Sequence, residues 1–154
     1  MSVLNSAPII DGERTERLGG PGDDLTERFG GTGSAAEARH LRATRDTLHE
    51  IIRGRTEAAA NLAALVSRAV LTPEATTTGL RWELRAPADE RLGVRALLAW
   101  TAVTEQLPGR LRPCANDECN LFLVDHSRPG AAKWCSMASC GNRMKARAHA
   151  ARRR

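Results

Sequence analysis

The stretch that decides the fold is residues 112–154, which read RPCANDECNLFLVDHSRPGAAKWCSMASCGNRMKARAHAARRR. It contains all four cysteines of the 154-residue chain, as two pairs with the same internal gap, and fifteen residues separate the pairs. Two pairs of thiolates are a common donor set for a tetrahedral zinc site. The spacing therefore predicts one structural Zn²⁺ per chain, with these ligands: Cys114, Cys119, Cys135 and Cys140.

Other uses of the cysteines fit the sequence less well. The first residues of the chain lack the basic start and long apolar run of an export signal, so we expect a cytoplasmic protein, in which disulfides are rare. His126 lies between the pairs and is an alternative ligand, which a catalytic zinc site would use. Four thiolates, however, fill the zinc shell and leave no position for water. The H-x-E and C-x-x-C signature of zinc deaminases is also missing. No enzyme activity is predicted.

The residues around the cysteines indicate a small fold of their own. Residues 121–124 read as a strand, and Ser127, Pro129 and Gly130 mark a turn, so we expect a hairpin that returns the second cysteine pair to the first. Ser136 is a candidate N-cap, which places Cys140 in the first turns of a final helix. Knuckle, hairpin and ligand-bearing helix together predict a treble-clef-like zinc finger, called here the cysteine module (residues 110–154).

Charge is concentrated in the cysteine module. It holds ten Lys and Arg against three acids, a net charge of +7, whereas the first 109 residues have a net charge of −2. This asymmetry favours a polyanionic partner. On the final helix, Met144, Ala148 and Ala151 share the side expected to pack on the module. The other sides carry the residues predicted to contact nucleic acid: Arg143, Arg147, Asn142, Lys145 and Arg152, with His149 beside them and Arg154 at the end of the chain.

Upstream of the module, residues 34–109 predict a helical domain. Ser34 and Glu37 fit a capping box before a helix with Leu41 and Leu48 on one face, and Gly54 ends that helix. A second helix is expected from about residue 56, with Ala69 and Val70 on its inner side and Pro73 as its end.

A small hairpin is expected over residues 72–85, with Gly79 in its turn. Its alternating residues Leu80, Trp82 and Leu84 are predicted to face the helices. A last helix starts near residue 88 and carries Leu92 and Trp100 inward, so both Trp82 and Trp100 are expected to be core residues. Its inward stripe continues through Ala96, Val103 and Leu107. Residues 1–33 form a weakly ordered segment with a short candidate helix at residues 23–29. The predicted fold class is mainly α, with this one hairpin and the zinc finger.

Residues 134–143, WCSMASCGNR, resemble the signature of the CGNR zinc-finger family, as do residues 114–116 and 121–128. In that family the finger follows a mostly helical ABATE domain. Residues 3–6, VLNS, and the order of helices and hairpin resemble the ABATE domain more loosely, because its apolar-Asp-Phe lead is missing here. The resemblance implies a regulator of transcription induced by stress.

The sequence therefore predicts a protein that binds double-stranded DNA through the cysteine module. The upstream domain would sense an unknown small-molecule effector or form a homodimer. Two alternatives use the same charges. One is an RNA- or ribosome-associated zinc module, which would prefer RNA shape or single strands. The other is an interaction module whose basic tail binds an acidic protein surface. No contact with a membrane is predicted.

Overall fold

A computed structural model describes residues 1–20 and 25–153 of the chain. Helices take 46% and strands 16% of these residues, so the architecture is one of mixed helices and small hairpins. The chain divides into two compact units: residues 1–16 with 103–154, and residues 17–102. These boundaries differ from those expected at residues 33 and 109, because the first sixteen residues pack with the cysteine module.

The unit formed by residues 17–102 contains four helices and a two-stranded ribbon. The fourth helix continues past residue 102 into the other unit. The elements in chain order are α1 (Leu25–Phe29), α2 (Ala35–Ile52), a 3₁₀ turn (Thr56–Ala58), α3 (Ala59–Val66), β3 (Val70–Thr76), β4 (Gly79–Arg85), a second 3₁₀ turn (Ala88–Glu90) and α4 (Arg91–Gln106). Two short strands, β1 (Ile9–Ile10) and β2 (Glu13–Arg14), precede these elements in the chain and lie in the other unit. The candidate helix at residues 23–29 is seen from Leu25; residues 23 and 24 lie outside the described residues.

Helix α2 starts at the predicted cap, with one change in its partners. The Ser34 hydroxyl accepts a hydrogen bond from the Glu37 N–H (3.0 Å). The Glu37 carboxylate instead accepts from the N–H groups of Thr32 (2.8 Å) and Gly33 (2.9 Å). Glu37 is buried and its carboxylate cannot be hydrated, so these two hydrogen bonds replace the lost contacts with water. Gly54, at φ +91°, follows the helix end as predicted.

The core of this unit is built from leucines. Helix α4 approaches α2 closely at Gly93, where a Cβ atom would collide with His40 and with Thr44 Oγ1 (2.7 Å). A side chain at residue 93 would therefore separate the two helices. The buried leucines are Leu18, Leu25, Leu41, Leu48, Leu92 and Leu97.

The second predicted helix is shorter than expected. Helix α3 ends at Val66, and Val70 begins strand β3, so the assignment of Ala69 and Val70 to the helix was wrong. Pro73 does not end the helix but lies within β3, opposite Trp82. Each strand of a two-stranded ribbon is an edge strand, and an edge tolerates the missing N–H of proline.

The ribbon β3–β4, called here the long ribbon, has its apolar side chains exposed. Leu80 is 66% and Trp82 is 59% exposed, which overturns the prediction that they face the helices. Leu84 is half-buried. Trp100 on α4 is half-buried, and its indole nitrogen is buried without a partner among the described residues. Period-two alternation located strand β4, but it carries no information about what covers the faces of the ribbon.

The unit formed by residues 1–16 and 103–154 contains two small ribbons and the C-terminal helix. Strands β1 and β2 form the first ribbon. The second, called here the short ribbon, pairs β5 (Leu111–Pro113) with β6 (Phe122–Val124). A π-type turn (Met137–Gly141) leads into α5 (Asn142–Ala151). Across residues 1–20 and 25–153, no helix is long and apolar enough to cross a membrane.

Candidate metal centre and basic helix

The four predicted cysteine ligands lie together. Their Sγ atoms are all within 4.8 Å of one another. Two of the separations, Cys119 to Cys135 and Cys135 to Cys140, are both 3.7 Å. Zn–S bonds of about 2.3 Å in a tetrahedron place sulfur atoms about 3.8 Å apart. The donor set and its spacing therefore fit a four-thiolate zinc site. His126 is exposed and is not part of this cluster.

Burial controls the protonation of two of the ligands. It raises the pKa of the Cys119 and Cys135 thiols, since a thiolate loses hydration inside the protein. Burial acts in the same direction on Cys140, but donation from Asn116 and from the neighbouring thiols outweighs it, and the pKa of Cys140 is lowered. A metal ion that binds here must displace the remaining thiol protons, so its affinity rises with pH.

Backbone and amide groups around the cluster donate to its sulfur atoms. The buried Asn116 donates from Nδ2 to Cys140 Sγ (3.5 Å), and the Cys135 N–H donates to Cys114 Sγ (3.5 Å). The Cys119 N–H donates to the Asn116 carbonyl (2.8 Å). This bond closes the turn from Cys114 to Cys119, called here the first knuckle. Bonds of this kind hold the thiolates in place and share their negative charge. Asn116 therefore supports the site, a role that its position in the sequence did not reveal.

The short ribbon differs from the predicted hairpin. Strand β6 pairs with β5, which precedes the first cysteine, and not with the segment before Cys135. The link to the second pair is a single backbone bond, from the Ala115 N–H to the Lys133 carbonyl (2.8 Å). The strands of the ribbon thus flank the first cysteine pair. Other contacts must bring the chain back to the second pair.

The buried carboxylate of Asp125 brings the chain back to the second cysteine pair. It accepts from the Ser127 hydroxyl (2.6 Å), the Ser127 N–H (2.9 Å) and the Ala132 N–H (3.0 Å). Arg112 bridges the loop, donating to Asp125 Oδ2 (2.5 Å) and to the carbonyls of Gly130 and Ala132, both at 3.0 Å. These bonds fold residues 125–132 into a closed loop that leads back to Cys135.

The same bonds fix the charge of Asp125. Donation from Ser127, followed by the Ala132 N–H and the Arg112 charge, outweighs burial and lowers the pKa of Asp125 to about 2. In an unfolded chain the pKa of an aspartate is about 4. The carboxylate therefore stabilises the fold above about pH 4, and this contribution is lost as the pH falls through about 2.

The π-type turn carries Cys140 into the last helix. The Ser136 hydroxyl accepts from the Ser139 N–H (3.4 Å), which agrees with the predicted cap, and the Gly141 N–H donates to the Ser136 carbonyl (3.0 Å). A Cβ atom on Gly141 would lie 2.8 Å from Met137 Sδ. Asn142 donates to the Ala138 carbonyl (3.4 Å). Both residues of this Gly-Asn pair thus take part in the turn.

Helix α5 holds the predicted nucleic-acid residues, but not in equal surroundings. Arg147 Nη2 contacts both carboxylate oxygens of Glu118, at 2.6 and 2.7 Å, and Arg143 lies 3.9 Å from the same carboxylate. Lys145 and Arg152 are exposed, and neither has an ion pair in the described part of the chain.

The packing side of α5 is narrower than predicted. Met144 is half-buried, whereas Ala148 and Ala151 are exposed. The salt bridges to Glu118 turn the Arg143 and Arg147 side towards the first knuckle. Arg154, the end of the predicted basic tail, lies outside the described residues.

Two asparagines tie the N-terminal segment to the module. Asn5 accepts from the Phe122 N–H (2.8 Å) and donates to the Phe122 carbonyl (3.0 Å). Asn120 accepts from the Ile9 N–H (3.0 Å) and donates to the Ala7 carbonyl (2.5 Å). Each amide pairs with main-chain groups as a neighbouring strand would. The segment expected to be weakly ordered therefore supplies one side of the short ribbon.

Comparison with known proteins agrees with this geometry. Residues 110–153 match the model of the CGNR zinc finger family. The match covers the cysteine cluster, the short ribbon and α5. The comparison with curated proteins finds no match. The zinc-finger assignment thus concerns the cysteine module, and the ABATE resemblance of residues 34–109 has no support from these comparisons.

Proposed function

We propose that the cysteine module is a treble-clef-like zinc finger that binds double-stranded DNA and that the protein regulates transcription in the cytoplasm, as a response to stress. The observation that carries the proposal is a cationic helix that starts two residues after the ligand Cys140. Zinc would fix the first turn of α5, and the helix would present its charges to phosphates or to the major groove.

The charges available for such a partner are fewer than the sequence count indicates. Four of the nine described Lys and Arg of the module lie within 4 Å of a carboxylate. The half-buried Arg110 (3.8 Å) and Arg112 (2.5 Å) lie beside the buried Asp125, whereas Arg143 and Arg147 pair with the exposed Glu118. Buried partners are fixed, but a surface pair is weak and can exchange its carboxylate for a phosphate.

The face of α5 away from Glu118 is therefore the better candidate for first contact. Lys145, His149 and Arg152 share one side of the helix, since they are spaced by four and three residues. All three are exposed. Phosphates would bind this face without displacing a protein group. Arg143 and Arg147 would join only after leaving Glu118.

The role of the metal in this proposal is structural. Four thiolates would complete the zinc shell, and zinc would hold the first knuckle and the π-type turn together. We propose a non-catalytic protein on this ground, since a closed shell offers no position for substrate or water.

The test is fluorescence anisotropy with a labelled duplex DNA and an RNA of matched length, over a salt series. Lys145→Ala and Arg152→Ala should each weaken binding, and each should lower the salt slope by about 0.9 for every phosphate that the variant no longer neutralises. Glu118→Gln should strengthen binding several-fold, because it releases Arg147 and removes a nearby negative charge.

Two matched controls accompany these variants. Asp117→Asn removes the same charge as Glu118→Gln from the neighbouring exposed residue, which has no ion pair to α5 in the described residues. Arg55→Ala removes an exposed arginine from the other unit. Metal analysis must show unchanged zinc in every variant. Absence of duplex binding, or equal gains from Glu118→Gln and Asp117→Asn, would overturn the proposed contact surface. A clear preference for RNA would assign the module to RNA instead.

A further inference from the structure

The long ribbon separates its residues by polarity. In an antiparallel ribbon, directly opposed residues lie on the same face. One face of the long ribbon combines the pairs Glu74–Arg81, Thr72–Glu83 and Val70–Arg85. The other face consists only of apolar residues, in the pairs Leu71–Leu84, Pro73–Trp82 and Ala75–Leu80.

Most of the apolar face is left exposed by the described residues, and only Leu84 is half-buried. Leu80, Trp82 and Leu71 are 66%, 59% and 42% exposed. The ion pairs of the ribbon, such as Arg81 to Glu74 (2.5 Å), join residues of the polar face. A two-stranded ribbon without cover is marginally stable in water. An apolar face of three residue pairs on such a ribbon is therefore typical of an interaction surface.

The chemistry of the face limits its partner. It carries no charge, so it offers no partner for phosphate groups or for the charged residues of an acidic or basic peptide. Its ends differ in volume, with two leucines at Leu71–Leu84 and an alanine with a leucine at Ala75–Leu80. Two such faces packed in opposite directions would set the larger end of each against the smaller end of the other, with Trp82 near the middle. An isologous contact needs this kind of self-complementarity.

We propose that the apolar face of the long ribbon binds the same face of a second copy of this chain. Three residue pairs make a small contact, since specific interfaces bury at least about 1,000 Å² in total. We therefore expect a weak, reversible dimer, with a dissociation constant of about micromolar order. This dimer goes beyond the proposed function and does not depend on what the cysteine module binds.

The test is sedimentation of the full zinc-loaded chain at concentrations from about 1 to about 200 μM. The natural chain should dimerise across this range. Leu80→Ser and Trp82→Ser should each raise the dissociation constant about tenfold or more. Val70→Ser is the matched control, because Val70 is 60% exposed but lies on the polar face, and it should change the constant less than about threefold.

Ala75→Lys provides a second variant, which places a charge on the apolar face at an exposed strand position and should abolish the dimer. Amide hydrogen exchange in residues 70–85 checks that the ribbon remains folded in each variant. A monomer at all concentrations would overturn the proposal. So would a dimer that survives Ala75→Lys, or one that Val70→Ser weakens as much as Leu80→Ser.

Discussion

The long ribbon and the short ribbon have the same two-stranded topology and opposite surroundings. The long ribbon has seven residue pairs and the short ribbon has three. Yet Phe122 and Leu123 of the short ribbon are 1% and 7% exposed, whereas Leu80 and Trp82 of the long ribbon are largely open to solvent. The ribbon with fewer backbone bonds thus has the better-buried side chains.

The difference shows where each ribbon obtains its stability. Asn5 pairs with the backbone of Phe122 on the short ribbon, and Asp125 closes the loop that follows it. The cysteine cluster holds the turn between its strands. The long ribbon has its own ladder and surface ion pairs such as Arg81 with Glu74, which contribute little in water. Distant side chains thus stabilise the short ribbon, and a second copy would stabilise the long one in the same way.

Loss of the metal should cause the largest difference in stability between the two ribbons. Cys135→Ser, or chelation of zinc, should remove binding free energy on the order of 10 kcal/mol from the cysteine module. Hydrogen exchange should then show loss of protection in β5, β6 and α5, with little change in β3 and β4. Metal analysis by mass spectrometry should show loss of zinc.

Ser139→Ala is the control for this change, because Ser139 is exposed and lies beside the ligand Cys140. It should retain zinc and the protection of α5. Full zinc occupancy in Cys135→Ser would contradict the four-thiolate site. Loss of protection in both ribbons would contradict the expectation that only the short ribbon depends on the metal.

A matched pair of leucines gives the next largest contrast. Leu123→Ala should lower the free energy of unfolding of the module by about 2–5 kcal/mol, because it leaves a cavity beneath β6. Leu80→Ala should change it by less than about 0.5 kcal/mol in the monomer, since the side chain is already in water. Denaturant unfolding of the zinc-loaded chain, below the dimerisation range, measures both.

Strands β4 and β6, the start of α2 and the cysteine cluster were predictable because their signals are local. Ser34 caps α2 as predicted, and the equal spacing of the cysteines identified the cluster. Errors arose where the outcome depends on distant residues. The sequence around Phe122 contains nothing that points to Asn5, which is 117 positions away. Arg147 and Glu118 likewise read as two unrelated charges until the knuckle brought them together.

The predicted hairpin of the cysteine module was wrong for a related reason. Residues 121–124 have the composition of a strand, but pairing depends on which segment lies beside it, and the strand before Cys114 takes that place. Burial of the long ribbon was also unpredictable, because alternation distinguishes two faces without saying which one has a partner.

The smallest contrast concerns the N-terminal segment. Asn5→Ala removes two hydrogen bonds to the backbone of Phe122, so it should destabilise the short ribbon by about 1–3 kcal/mol. Asn61→Ala, at an exposed position on α3 in the other unit, should leave that ribbon unchanged. Hydrogen exchange at Phe122 reports the effect directly, since its N–H is the group that Asn5 protects. Equal protection of Phe122 in the natural chain and in Asn5→Ala would mean that the segment lies beside the ribbon without stabilising it, and that the metal and Asp125 suffice. Faster exchange confined to β5 and β6 would make Asn5 a part of the same folded unit as the module, which then comprises residues 1–16 as well as 103–154.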